Sequence, residues 1–243
     1  MGTLKSSRVA LGLAVCAAAT ATAQPGLAQS VATARSYRVG AFDSIATAGS
    51  SLVIVHVGGA PAVRAEGSAD TLDKMEVVVE HGALEIRPRR EFRDRFDWNS
   101  FRRAIFTVTA PHLSAASVAG SGDMRVDRVE GDRFAGSVAG SGNLDIATLR
   151  VGRANFSVAG SGNLTARGSA GRADVSVAGS GNVRTHGVAT RSASISIAGS
   201  GDAELTAEDT ASVSIIGSGT AEIAGRAHCT VSRIGSGQAH CNA

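Results

Sequence analysis

From Val118 the chain repeats one phrase: Val-Ala-Gly-Ser-Gly followed by Asp or Asn. Copies stand at Val118–Asp123, Val138–Asn143, Val158–Asn163, Val177–Asn182 and Ile197–Asp202. Two looser ones end the series, Ile215-Ile216-Gly217-Ser218-Gly219-Thr220 and Arg233-Ile234-Gly235-Ser236-Gly237-Gln238. The first glycines, Gly120, Gly140, Gly160, Gly179, Gly199, Gly217 and Gly235, are separated by 20, 20, 19, 20, 18 and 18 residues. A period of this size marks stacked structural units, none of which can bury a core by itself.

Counting from the first glycine as position zero separates inside from outside. Two before zero stand Val118, Val138, Val158, Val177, Ile197 and Ile215; four before stand Ala116, Gly136, Phe156, Val175, Ile195, Val213 and Val231. Four after stand Met124, Leu144, Leu164, Val183, Ala203, Ala221 and Ala239; six after, Val126, Ile146, Ala166, Thr185, Leu205, Ile223 and Cys241. Alternation by two puts these residues on one face of two short strands per unit. The intervening positions are polar: three before zero is always serine, and five after gives Arg125, Asp145, Thr165, Arg184, Glu204, Glu222 and His240. Arg125 is expected beside Asp145 and Arg184 beside Glu204, as surface pairs worth about 0–1 kcal/mol each.

Glycines at the corner permit positive φ or close backbone approach, and the following Asn or Asp tolerates tight turns and can bond to its equivalent along the axis. The expected fold is therefore all-β: a single-stranded, right-handed parallel β-helix solenoid with coils of about 20 residues. Seven corners at a strand spacing near 4.8 Å make a stack of roughly 30 Å. The hand is inferred from the right-handedness of crossovers between parallel strands.

Before the repeat, Lys5 and Arg8 precede an apolar or small stretch, Val9 to Ala21, and small-residue sites that allow cleavage after Ala23 or Ala28. This reads as a signal peptide over residues 1–28, followed by a polar leader to Arg35 and a β-helix domain over 36–243, with regular coils from 115 to 241. The apolar run is shorter than the roughly 20 residues a membrane span needs. The chain carries 24 basic and 21 acidic residues. Removing Lys5 and Arg8 leaves 22 against 21, a balance that gives no support for nucleic-acid binding.

Strand-like runs then follow at Leu52–Val57, Met75–Val79, Ala83–Ile86 and Ala104–Val108. His81-Gly82 suits a hairpin, Leu72–Met75 a short helical turn, and Ala48-Gly49-Ser50-Ser51 a degenerate early corner. Arg87 to Arg103 interleaves seven arginines with Phe92, Phe96, Trp98 and Phe101. It reads as a solvated loop covering one end or flank of the stack. Its functional alternative is a contact surface for an anionic partner through Arg93, Arg95, Phe96, Trp98 and Arg102, weakened by Glu91, Asp94 and Asp97.

The Phe42-Asp43-Ser44-Ile45 opening, Val63-Arg64-Ala65-Glu66-Gly67, Leu72-Asp73-Lys74, Leu84-Glu85-Ile86 and Val108-Thr109-Ala110-Pro111-His112-Leu113, followed by serial Gly-Ser-Gly-Asp/Asn corners, carry a resemblance. In this order they resemble the putative autotransporter adhesin, head GIN domain family, over roughly residues 40 to 225. The resemblance implies a β-helix similar to pectin lyase-like proteins and a role in adhesion, without established catalytic residues.

Signals for chemistry are sparse. Glycoside hydrolysis needs two facing carboxylates about 5–9.5 Å apart; the candidates are Asp202 and Glu204 near Glu222, and Asp123 with Asp127, all more readily read as a solvated face. The six histidines are dispersed, no serine has a visible His/Asp arrangement, and Gly-Ser-Gly lacks the lysine and helix of a phosphate loop. His228-Cys229 and His240-Cys241 invite a zinc reading. Both cysteines, however, fall on the inward phase and their histidines on the outward one, so a disulfide closing the last coil is preferred, provided their Cα atoms lie within about 7 Å. Arg233 replaces the inward Val/Ile of that coil, as suits the end of a stack.

The sequence thus points to a non-enzymatic, exported bacterial protein, periplasmic, cell-surface or extracellular. It would bind an envelope polysaccharide or another surface protein, without catalytic residues, cofactor, metal, nucleic acid or transmembrane segment in the mature chain. The alternative is a carbohydrate-active enzyme, a polysaccharide lyase or hydrolase on the same scaffold.

Overall fold

Each coil turns at a Gly-Ser-Gly corner because the backbones of successive coils touch there. The computed structural model describes residues 33–91 and 103–242; residues 1–28, read above as a signal peptide, lie outside them. The strands before the repeat are β1 (Thr33–Tyr37), β2 (Ser44–Gly49), β3 (Leu52–Val57), β4 (Ala62–Gly67), β5 (Met75–Glu80), β6 (Ala83–Pro88) and β7 (Ile105–Ala110), with one helix, α1 (Ala69–Asp73), between β4 and β5. The repeat contributes β8 (Ala115–Gly120), β9 (Asp123–Val126), β10 (Val129–Gly140), β11 (Asn143–Gly160), β12 (Asn163–Gly179), β13 (Asn182–Gly199), β14 (Asp202–Gly217), β15 (Thr220–Ala224), β16 (His228–Gly235) and β17 (Gln238–Asn242). The result is a β-solenoid of about 6 turns with coils near 20 residues.

Register follows the repeat. Val138 pairs with Val118 and Val158, and Asn163 with Asn143 and Asn182. Inward positions two and four before zero are buried from Ala116 to Ile215, as are those four and six after zero from Met124 to Ile223. Thr185, the polar inward residue, donates its hydroxyl to the Glu204 carbonyl at 2.7 Å, and Thr190 likewise to the Thr206 carbonyl at 2.8 Å. Burial therefore costs neither hydroxyl its hydrogen bond. Gly136 occupies an inward site because the Phe156 ring fills it: a Cβ there would lie 3.2 Å from Phe156 Cδ1 and from Leu144 Cδ2.

The coil has a third side beyond the two strands expected. Leu149 and Val151 pair with Val129 and Gly131 below and with Gly168 and Ala170 above. Leu149 and Val188 are fully buried there. This side absorbs the variation in coil length: register shifts fall between Ile146 and Leu149, Thr165 and Arg167, and Thr185 and Ala189. The corners stay aligned while the third side gains or loses residues.

Before the repeat, the stacking order departs from chain order. β2 lies between β6 and β8, and β3 between β7 and β9, all parallel. Gly49 pairs with Gly120, so Ala48–Ser51 is the first corner. Beyond β7 the sheet continues antiparallel through β4 to β1, and β5 pairs antiparallel with β6. The stack is thus not parallel throughout, and Thr33 to Arg35 of the expected leader belong to β1. The β5–β6 hairpin turns at His81 (φ 52°) and Gly82 (φ 80°), the left-handed pair a two-residue turn requires. α1 begins at Ser68, whose Oγ accepts from the Thr71 amide at 3.2 Å. Leu72, Met75, Val63 and Ala65 are buried at this end of the stack.

Candidate functional site

The corner column shows first what the repeated motif is for. Gly160 adopts φ 116°, and its carbonyl accepts from both the Ser180 and Gly181 amides at 2.9 Å. A Cβ on Gly162 would stand 2.3 Å from the Gly142 carbonyl oxygen and 2.6 Å from Val138 Cγ1. Just past the corner runs a ladder of side-chain amides. Asn143 donates to Asp123 (2.7 Å), Asn163 to Asn143 (2.9 Å) and Asn182 to Asn163 (3.0 Å), while Asn182 and Asp202 accept from the backbone amides of Asp202 and Thr220. Both of the amide's functions are used, so the motif is structural.

Among the acids considered for catalysis, Asp123, Asp127 and Asp202 are engaged in the same way. Asp127 accepts from the Val57 amide at 3.0 Å and the Arg128 amide at 2.6 Å, and faces His56 Nδ1 at 3.3 Å. Asp123 takes Asn143 and the Arg103 guanidinium. Asp202, Glu204, Thr220 and Glu222 line a small cavity of about 160 Å³; Glu204 and Glu222 are in register, and Arg184 approaches Glu204 at 3.9 Å. Arg125 and Asp145 are in register too. Among the described residues, no three His, Cys, Asp or Glu side chains group as metal ligands.

Arg93, Arg95, Phe96, Trp98 and Arg102 lie outside the described residues. Their flanks can be located. β6 lies beside β2 and β7 beside β3, on either side of the Gly49-Ser50-Ser51 corner. Arg103 Nε donates to the Ser50 carbonyl at 3.3 Å. At the other root, Arg87 is ringed by Glu76, Glu80 and Glu85; the hydrogen bond to Glu76 is the main cause of its raised pKa.

At the opposite end, Cys229 and Cys241 form a disulfide across the last coil, Cα to Cα 6.5 Å. Cys229 lies over Ala211 and Cys241 over Ile223, both on the inward phase. Arg233 lies over Ile215 and is exposed, as are Val231 and Ile234.

One feature of the outer surface escapes the positions nearest the corner. Seven before zero stand Arg133, Arg153 and Arg172, paired in register on three successive coils. With Asp132, Gly152 and Asn155 they line a cavity of about 340 Å³. Arg172 forks onto Asp174, with Nε and Nη2 to Oδ1 at 3.0 and 2.9 Å, which raises its pKa. Asn155 also borders a second trough of about 410 Å³, formed over Gly136 and Phe156 by Ser137, Ser157, Ser176 and Ser196 among others. Both belong to the outer face of the strand that enters the corner.

The stacked coils and the corner ladder define the class: a β-solenoid whose repeated motif builds the scaffold. The chain belongs to the family described as "Putative auto-transporter adhesin, head GIN domain", whose model matches residues 41–227. Among solved structures it is similar to a putative adhesin from Bacteroides fragilis NCTC 9343 (21% identity, TM-score 0.77, covering 86% of this chain and 96% of that one). It is also similar to a putative lipid binding protein from Parabacteroides distasonis ATCC 8503 (22%, 0.67, 86% and 96%). A putative adhesin from Parabacteroides merdae ATCC 43184 has the same fold (17%, 0.66, 86% and 95%). Among functionally curated proteins, none matches the chain. No described helix is long and apolar enough to cross a membrane.

Proposed function

We propose that the protein is a non-enzymatic, exported binding module that attaches to a polysaccharide or protein of the bacterial envelope or its surroundings. The observation that carries this reading is the engagement of the polar groups beside the corners. Asp123, Asp127 and Asp202 hold backbone amides or neighbouring side chains, and a carboxylate committed to a structural bond is a poor acid or nucleophile. Family membership and the adhesin names of its structural relatives support adhesion. The stretch at Lys5–Ala28 supports export. The disulfide pairing of Cys229 and Cys241 suits an oxidising compartment.

The test is retention of the purified mature chain by isolated bacterial envelopes, together with an assay for reducing or unsaturated ends on acidic polysaccharides. Saturable retention without product release is expected. Product release would overturn the reading in favour of a lyase or hydrolase.

A further inference from the structure

Arginines in register on adjacent strands repel one another unless something neutralises them. Arg133 pairs with Arg153, and Arg153 with Arg172, at the strand spacing of about 4.8 Å. Arg172 is matched by Asp174. The side chains of Arg133 and Arg153 make no hydrogen bond or ion pair among the described residues, and both are exposed. Asp132 is the one acid among the residues lining their cavity. Gly152 leaves the floor there without a side chain, its Cα facing the Asp132 carbonyl so closely that a Cβ would stand 2.8 Å away.

We propose that Arg133 and Arg153, continued by the Asp174-held Arg172, form a ladder that binds an acidic polysaccharide, its carboxylates meeting the free forks of Arg133 and Arg153 and its chain running along the stack. The inference rests on the binding-module reading and gives it a site and a ligand class. A planar fork suits a carboxylate better than a point charge does, and free forks at a fixed repeat suit a ligand that repeats. A cavity of about 340 Å³ is at the small end of ligand sites, enough for a short stretch of sugar. Asn155 connects the ladder to the serine trough, which offers hydrogen bonds to sugar hydroxyls. No bulky apolar side chain lines the arginine cavity, whereas surfaces that settle on membranes bury an apolar face in the lipid.

The experiment is calorimetric titration of the mature chain with oligogalacturonate. The methyl-esterified oligosaccharide serves as the uncharged control, and vesicles of phosphatidylglycerol and phosphatidylcholine as a second anion source. Oligogalacturonate should bind, with affinity falling at least tenfold from 50 to 500 mM salt, and the ester should not. R133Q/R153Q should lose at least tenfold, while R125Q/R128Q, an equal charge change at other sites, should lose less than twofold. Equal binding by R133Q/R153Q, equal loss in the control pair, equal binding of the ester, or binding to vesicles alone would each overturn the ladder. Both arginines are exposed, so circular dichroism should show R133Q/R153Q folded. If that variant is still retained by envelopes as strongly as wild type, only the ladder fails; if wild type is not retained at all, the binding-module reading fails with it.

Discussion

Gly162→Ala isolates the contact on which the stack depends. The added Cβ would lie 2.3 Å from the Gly142 carbonyl oxygen, 1.1 Å short of ordinary contact at 3.4 Å, and 2.6 Å from Val138 Cγ1. Relief requires the two coils to part at the corner, where the Ser161 and Gly162 amides both bind the Gly140 carbonyl at 2.9 Å. Losing those two bonds costs about 1 kcal/mol each, and overpacking a dense interior adds about 1–3 kcal/mol. The sum, about 3–5 kcal/mol, corresponds to a fall in Tm of about 6–20 °C for a chain of this size. Gly40→Ala is the matched control, since nothing lies within 4 Å of its added Cβ; its effect should stay within about 0.5 kcal/mol. Thermal unfolding of both variants, followed by far-ultraviolet circular dichroism, makes the comparison. A Gly162→Ala midpoint within about 2 °C of Gly40→Ala would refute the argument that backbone contact between coils dictates glycine here.

Other perturbations address the remaining layers. Asn163→Ala removes the donor to Asn143 and the acceptor for Asn182, and should cost about 1–2 kcal/mol by denaturant titration. Phe156→Ala empties the space beside Gly136 and should cost about 3–5 kcal/mol, whereas Ser157→Ala on the opposite face of the same strand should be near neutral. Reducing Cys229–Cys241 should speed amide exchange in residues 228–242 while leaving 143–199 protected, because each coil leans chiefly on its neighbours. Thiol titration of the unfolded, unreduced protein should then find no free thiol at either position.

Much of the scaffold could be read from the chain because its period is local and strict. The columns two and four before the corner, and four and six after it, are buried from Ala116 to Ile223, and Gly49 does belong to the corner series. The third side escapes a count that runs from four before to six after the corner: Leu149, Gly168 and Val188 each stand eleven before the next corner glycine but nine, eight and nine after the preceding one, and Gly168 carries no side chain to mark the column. The insertion of β2 and β3 between the β6–β7 coil and the β8–β9 coil is a long-range pairing that no repeat announces. The arginine ladder was legible in principle. Arg133, Arg153 and Arg172 each stand seven before a corner glycine, just beyond the positions alternation draws attention to. What distinguishes them, two guanidiniums without a partner among the described residues beside one that has Asp174, is visible only in three dimensions.

The most direct test of the protein as a binder rather than an enzyme is the mass of an acidic oligosaccharide recovered after prolonged incubation with the mature chain and then eluted from it. The bound material should come back at its original mass, with no shorter or unsaturated products. Recovery of cleaved oligosaccharide, absent from the protein-free control, would contradict it.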